Sequence, residues 1–99
     1  MDRVAIGPVS LAVEQWPGPA KGPAGSAIVC IHGLTANHVC WASVADVLSP
    51  GHRLIAYDLR GRGESDKPEK GYSLAHHCED LDGLLDHLGL RKAVLIGHS

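Results

Sequence analysis

The residues best suited to chemistry stand at the end of the printed sequence, where Gly97-His98-Ser99 directly follows the apolar run at 93–96. A serine lifted from a strand end on a tight turn, between small neighbours, presents its hydroxyl for nucleophilic attack. Three residues of this type are weak evidence by themselves, because glycine and serine end many strands. Their place after a buried strand, itself preceded by a well-capped helix, makes them the first half of a G-x-S-x-G pattern. The sequence therefore predicts Ser99 as a nucleophile.

Two further polar segments follow apolar runs in the same way. The first, His32-Gly33-Leu34-Thr35, comes after the run at 27–31. The second, residues 58–65, comes after the segment at 53–57, which is apolar from Leu54 onward. A glycine lets the backbone approach a substrate, and the amide that follows it can point toward a developing oxyanion. The Leu34 amide is therefore a candidate oxyanion donor.

The segments that must hold these residues alternate between strand and helix signals. Continuously apolar, β-branched runs predict strands buried on both faces of a parallel sheet, and apolar residues spaced three or four apart predict helices. Ser73 is the expected cap of the longer helix and Gly89 its stop. We expect a half-exposed edge strand over 9–15 and buried strands over 27–31, 53–57 and 93–96, with loops over 16–25 and 58–71. A short helix is expected over 41–48. The longer helix is expected to pack through Leu74, Cys78, Leu81, Leu84, Leu85 and Leu88. Right-handed crossovers between such elements predict an α/β fold with a doubly wound, mostly parallel sheet.

Composition excludes several classes of function. The chain has 99 residues, 44% of them apolar and 20% charged, with a formal net charge of −2. This balance indicates a globular domain and gives no reason to expect nucleic acid or an acidic membrane as a partner. No apolar stretch approaches the ~20 residues that a membrane span needs, and the N-terminal segment lacks a secretory pattern. We therefore expect a cytoplasmic protein.

The last predicted strand has neither a following neighbour nor a covering helix. Complete α/β domains of this type often run to about 200–250 residues. Residues 1–99 are therefore interpreted as the N-terminal part of one core domain, incomplete after the strand that precedes Ser99, with the cap and the C-terminal half absent.

The sequence resembles the α/β-hydrolase superfamily, in particular its esterase-, lactonase- and aminopeptidase-like branch, through the turn at 32–35, DLRGRGESDKP at 58–68 and LIGHS at 95–99. The resemblance implies that Ser99 is the nucleophile and that the Leu34 amide is one oxyanion donor. It implies a second donor directly after Ser99, and an acid and a base histidine further along the chain. Neither a cofactor nor a metal is implied. Supporting roles fall to His32, Gly33, Gly97 and His98.

Other polar residues have plainer interpretations. We expect His32 to order its turn and not to act as a base, and His98 to pack against or shape the strand end. Asp58 and Ser65 are expected to hold their own loop, since the triad acid of this superfamily follows the serine. Related dehalogenases and epoxide hydrolases carry aspartate where this chain has Ser99, which argues against their chemistry.

Three ligand-binding hypotheses are disfavoured. Residues 76–80 contain two histidines, a cysteine and an aspartate, but a metal site needs three or four converging ligands, and Cys78 is assigned to helix packing. The glycines at 61 and 63 lack the third glycine of a dinucleotide-binding motif. The arginines at 60 and 62 stand beside acidic residues and form no basic patch.

The expected function is cofactor-independent hydrolysis of an ester, lactone or related acyl bond in a small molecule. A C–C bond hydrolase, a proline-releasing aminopeptidase or a perhydrolase of the same fold would use the same serine and stays an alternative, as does a non-catalytic remnant. The sequence indicates no oligomeric state.

Overall fold

The computed structural model describes residues 1–18, 27–33, 35–49 and 51–98. Within these residues a short 3₁₀ helix (His38–Trp41) precedes the first α-helix. The other elements are β1 (Asp2–Ile6), β2 (Val9–Trp16), β3 (Ala27–Ile31), α1 (Ala42–Leu48), β4 (Arg53–Tyr57), α2 (Leu74–His87) and β5 (Ala93–Gly97).

The described strands form one sheet in the order β1-β2-β4-β3-β5. β1, β2 and β4 pair antiparallel, whereas β4, β3 and β5 run parallel. A tight turn at Gly7 joins β1 to β2, and its φ of +58° lies in the left-handed region that glycine tolerates. α1 connects β3 to β4 and α2 connects β4 to β5, so each parallel connection contains a helix.

Successive residues of the central strands pack on opposite faces of the sheet. Val29 of β3 lies in a buried cluster that includes Leu84 of α2. The next residue, Cys30, lies in a second cluster that includes Ala45 of α1. Apolar burial on both faces explains why β3, and β4 from Leu54 onward, are continuously apolar in sequence. The predicted α/β fold with a mostly parallel sheet is confirmed.

The N-terminal hairpin differs from the sequence prediction. The pattern over 9–15 predicts an edge strand, but β2 is an inner strand because β1 pairs along its outer side. β1 gives little signal of its own, since Val4 is its one buried residue. Its strand conformation therefore depends on pairing with β2.

β5 is less covered than its apolar run predicts. Val94 and Leu95 are 58% and 49% exposed, so the prediction of a strand buried on both faces is wrong for the described chain. The physical reason is position: β5 ends the sheet order, and within the described residues it pairs with β3 alone.

α2 begins and ends where the sequence predicts. The Ser73 hydroxyl accepts a hydrogen bond from the His76 N–H at 3.2 Å, and Gly89, with φ +69°, follows the last turn. The apolar stripe is shorter than expected, because Leu74 is 79% exposed and Cys78 is exposed as well. The helix joins the core through its C-terminal half, from residue 81 onward, so the prediction that Cys78 packs there is wrong.

The described helices are short or polar. None of them is long and apolar enough to cross a membrane. The loop predicted over 16–25 falls mostly on residues 19–26, which lie outside the described ranges, and Trp16 itself ends β2.

Candidate active site

Three parallel strands bring the residues that follow them to one edge of the sheet. Ile31, the last residue of β3, is paired with Tyr57 on one side and Gly97 on the other. The His98 N–H continues this pairing with a hydrogen bond to the Ile31 carbonyl at 3.1 Å. Residues 32, 58 and 98 therefore lie side by side at the carboxyl edge, where open α/β sheets bind ligands.

Ser99 and Leu34, the two residues predicted to contact a substrate, lie outside the described residues. Their assignments stay predictions. Of their neighbours, Gly97 ends β5 and Gly33 is buried. The His98 side chain is exposed, so among the described residues it does not pack into the core.

His32 is buried, with 3% of its surface exposed, and both ring nitrogens have partners. Nε2 accepts a hydrogen bond from the Leu59 N–H at 2.9 Å. Nδ1 lies 2.6 Å from the Gly33 carbonyl and donates to it. A histidine whose two ring nitrogens both have partners has no free lone pair for base catalysis.

The turn that follows His32 is closed by backbone bonding. The Ala36 N–H donates to the Gly33 carbonyl at 3.0 Å. Directly after the turn, the Asn37 side chain caps the 3₁₀ helix by accepting from the Val39 N–H at 2.9 Å. The described residues before and after Leu34 thus include a buried histidine and a capped helical turn.

The Asp58 carboxylate is buried and accepts hydrogen bonds from both sides. Oδ1 accepts from the His38 N–H at 2.6 Å and from His38 Nδ1 at 2.8 Å, and Oδ2 accepts from the Glu64 N–H at 2.8 Å. Burial opposes the charged form, but the hydrogen bonds from Glu64 and His38 outweigh it. The pKa of Asp58 therefore lies below its ordinary value.

Ser65 also serves its own loop. Its hydroxyl donates to the Asp58 carbonyl at 2.6 Å and accepts from the Ala12 N–H at 2.8 Å. These bonds fasten the loop that follows β4 to the neighbouring strand β2. The Asp58 and Ser65 side chains thus both have structural partners, as expected of residues that hold their own loop.

Sequence reasoning missed His38, the partner of Asp58. The two residues are 20 positions apart, and their contact depends on the pairing of β3 with β4 and on where the 3₁₀ helix begins. No local pattern marks such a contact.

The polar residues of α2 do not converge on a ligand. Asp80 is buried against Arg60, with Nε–Oδ2 at 2.6 Å, and His76 Nδ1 lies against the Ser73 hydroxyl at 2.5 Å. The Nδ1 atom of His77 is buried without a partner among the described residues. In that part of the chain no three His, Cys, Asp or Glu side chains are grouped as a metal would require.

The chain is similar to known proteins in sequence and in fold. A family model described as the alpha/beta hydrolase fold matches residues 26–99. The 2-(acetamidomethylene)succinate hydrolase of Mesorhizobium japonicum is 38% identical over 97 residues, which are 98% of this chain and 33% of that protein. A putative 2-succinyl-6-hydroxy-2,4-cyclohexadiene-1-carboxylate synthase of Bacillus subtilis is 42% identical over 82 residues, 80% of this chain and 30% of that one.

Among solved structures, the enol-lactonase from Burkholderia xenovorans LB400 superposes with a TM-score of 0.89 at 30% identity, over 99% of this chain and 37% of that one. The chain thus spans about a third of the length of the proteins that it matches. The match to the family model covers most of the chain, and the described strands have the sheet order set out above. The chain belongs to the α/β-hydrolase fold family.

Proposed function

We propose that the protein carrying this chain is a serine hydrolase that cleaves an ester, lactone or related acyl bond of a small molecule, with Ser99 as the nucleophile. The observation that carries the proposal is the pairing of β3 with β5. The Ile31–Gly97 register and the hydrogen bond from His98 to Ile31 set the segment leading to Ser99 beside the segment leading to Leu34. A nucleophile and an oxyanion donor must both come within about 3 Å of the reacting group.

The names of the relatives support hydrolysis and a substrate class. One relative is a hydrolase of a succinate derivative, and a solved relative is an enol-lactonase. A lactone is a cyclic ester, whose carbonyl reacts with a serine by acyl transfer. Esters and lactones are therefore the substrates that we propose for the protein carrying this chain.

The proposed mechanism gives each residue one role. Ser99 Oγ attacks the carbonyl carbon while a histidine beyond residue 99 takes its proton and an acid orients that histidine. The Leu34 amide and the amide after Ser99 hold the oxyanion, and such a donor is worth roughly 10²–10³ in rate. His32 is not the base, because both of its ring nitrogens already have partners.

Kinetics on the protein carrying this chain test the proposal. Hydrolysis of p-nitrophenyl acetate and of an enol lactone is measured for the unsubstituted protein and for Ser99→Ala. Loss of the nucleophile is expected to lower kcat by about 10⁴ or more. Ser43→Ala, an exposed serine on α1, is the matched control and should retain full activity. Unchanged turnover in Ser99→Ala would refute the proposal.

A further inference from the structure

The two histidines that flank residues 33–36 bind the same dipeptide, Asp58-Leu59. His32, before the turn, accepts a hydrogen bond from the Leu59 N–H. His38, after the turn, donates to Asp58 through its backbone and through its ring. The residues on both sides of this segment are thus bound to two adjacent residues that directly follow β4.

The His38 ring adds a bond that the main chain alone does not supply. Its Nδ1 lies 2.8 Å from Asp58 Oδ1, the same oxygen that accepts the His38 N–H at 2.6 Å. The carboxylate itself has little freedom to shift. Oδ2 is held by the Glu64 N–H, and a side chain at Gly63 would overlap the carboxylate. His38 is therefore fixed in orientation as well as in position.

We propose that His38 is a positioning residue, whose ring N–H bond to Asp58 holds the chain that follows the oxyanion donor proposed above, the Leu34 amide. The inference rests on the proposed function and assigns a residue to the same site. Functional groups must be held within about 0.5 Å of their productive geometry. A displacement of about 1 Å costs on the order of 10² in rate.

The test separates positioning from simple stabilisation. His38→Ala removes the ring bond and keeps the backbone bond. His38→Asn keeps a donor, because its amide nitrogen takes the place of Nδ1. His52→Ala is the matched control, since His52 is exposed and precedes β4 at the opposite edge of the sheet. Ester hydrolysis is measured on the protein carrying this chain, with active molecules counted by a covalent fluorophosphonate probe.

For His38→Ala we expect kcat per labelled molecule to fall by about 10- to 100-fold, with KM changed by less than about 2-fold. His38→Asn should recover kcat to within about 3-fold of the unsubstituted protein, and His52→Ala should match it. If His38→Ala yields no folded protein, His38→Leu replaces it, because leucine fills the space without donating. His38→Leu should then lower kcat by the same factor as that expected for His38→Ala.

Three results would overturn the inference. Unchanged kcat per labelled molecule in His38→Ala would show that the ring bond only stabilises the fold. Equal losses in His38→Asn and His38→Ala would show that the ring donor is not what matters. If the probe does not label the unsubstituted protein at all, the proposed function is wrong and this inference is wrong with it. If labelling is normal and His38→Ala has unaltered kinetics, only this inference is wrong.

Discussion

The Arg60 guanidinium and the Asp80 carboxylate form a two-point ion pair, with Nε–Oδ2 at 2.6 Å and Nη2–Oδ1 at 2.7 Å. Both residues are buried, and Nη1 of Arg60 donates to the Gly71 carbonyl at 2.8 Å. The pair ties the loop that follows β4 to α2. An arginine in this setting is part of the scaffold.

Asp80→Ala should destabilise the fold strongly, because it leaves the buried Arg60 guanidinium without a counter-ion. Removing one partner of a buried pair costs about 3–5 kcal/mol in the free energy of unfolding. Asp82→Ala, at an exposed position on the same helix, is the control and should cost far less. Urea unfolding of the two variants makes the comparison, and equal losses would show that the pair contributes little.

Asp58→Asn should lower stability more than turnover. Asparagine can still accept the His38 bonds at its oxygen, but its amide group would face the Glu64 N–H, donor against donor. One buried donor left without an acceptor costs about 1–3 kcal/mol. In the protein carrying this chain, a loss of kcat near 10⁴ at unchanged stability would instead identify Asp58 as a triad acid.

The pH dependence of Asp58→Asn checks the same assignment. The folded-state pKa of Asp58 is lowered from 3.8, so its ionised form stabilises the fold above that value. The contribution is lost as the pH falls through the lower, folded-state pKa. Urea midpoints of the unsubstituted and Asp58→Asn proteins should therefore differ by a constant amount above about pH 5 and converge in stronger acid. A gap that widens on acidification would contradict the assignment.

Gly63→Ala should cost more than Gly7→Ala, although both glycines have positive φ angles, +49° and +58°. The left-handed backbone costs an alanine roughly 1–2 kcal/mol at either position. At Gly63 the new Cβ would also overlap the Asp58 carboxylate, whereas at Gly7 nothing lies within 4 Å. Thermal unfolding of both variants isolates the overlap, and equal shifts in Tm would show that the carboxylate can move.

The 99-residue chain alone should self-associate through β5. This strand ends the sheet order and exposes Val94 and Leu95, and an unpaired strand edge with apolar side chains promotes further pairing. Leu95→Lys should reduce the association, while Val47→Lys, at an exposed valine on α1, should not. Size-exclusion chromatography over a range of concentrations is the measurement. A monodisperse monomer at all concentrations would refute the prediction.

The parts of the fold that the sequence predicts are those with local causes. The apolar runs of β3 and β4, the Ser73 cap and the glycine after α2 each act within a few residues, and the structure has all of them. The sequence does not predict β1, because the strand conformation of this segment depends on pairing with β2. The exposure of β5 likewise follows from its place in the sheet and not from its own composition.

In the candidate site, too, the sequence predicts local features but not the contacts between distant residues. The turn at His32 and the Asp58 loop are visible in sequence because glycines and polar residues follow apolar runs. The hydrogen bonds that join them cannot be predicted from the sequence, since Leu59 and His32 are 27 positions apart and His38 and Asp58 are 20 positions apart. Such contacts depend on the parallel register of β3 and β4, which fixes where each strand ends relative to its neighbour.

Covalent labelling with a fluorophosphonate probe, followed by peptide mapping, tests most directly whether Ser99 is the nucleophile. In the protein carrying this chain we predict label on the peptide that contains Ser99 and none in Ser99→Ala. The 99-residue chain alone should stay unlabelled, because serine at its ordinary pKa needs a neighbouring base, which we expect beyond residue 99. Label retained by Ser99→Ala, or mapped to another serine such as Ser65, would contradict the assignment.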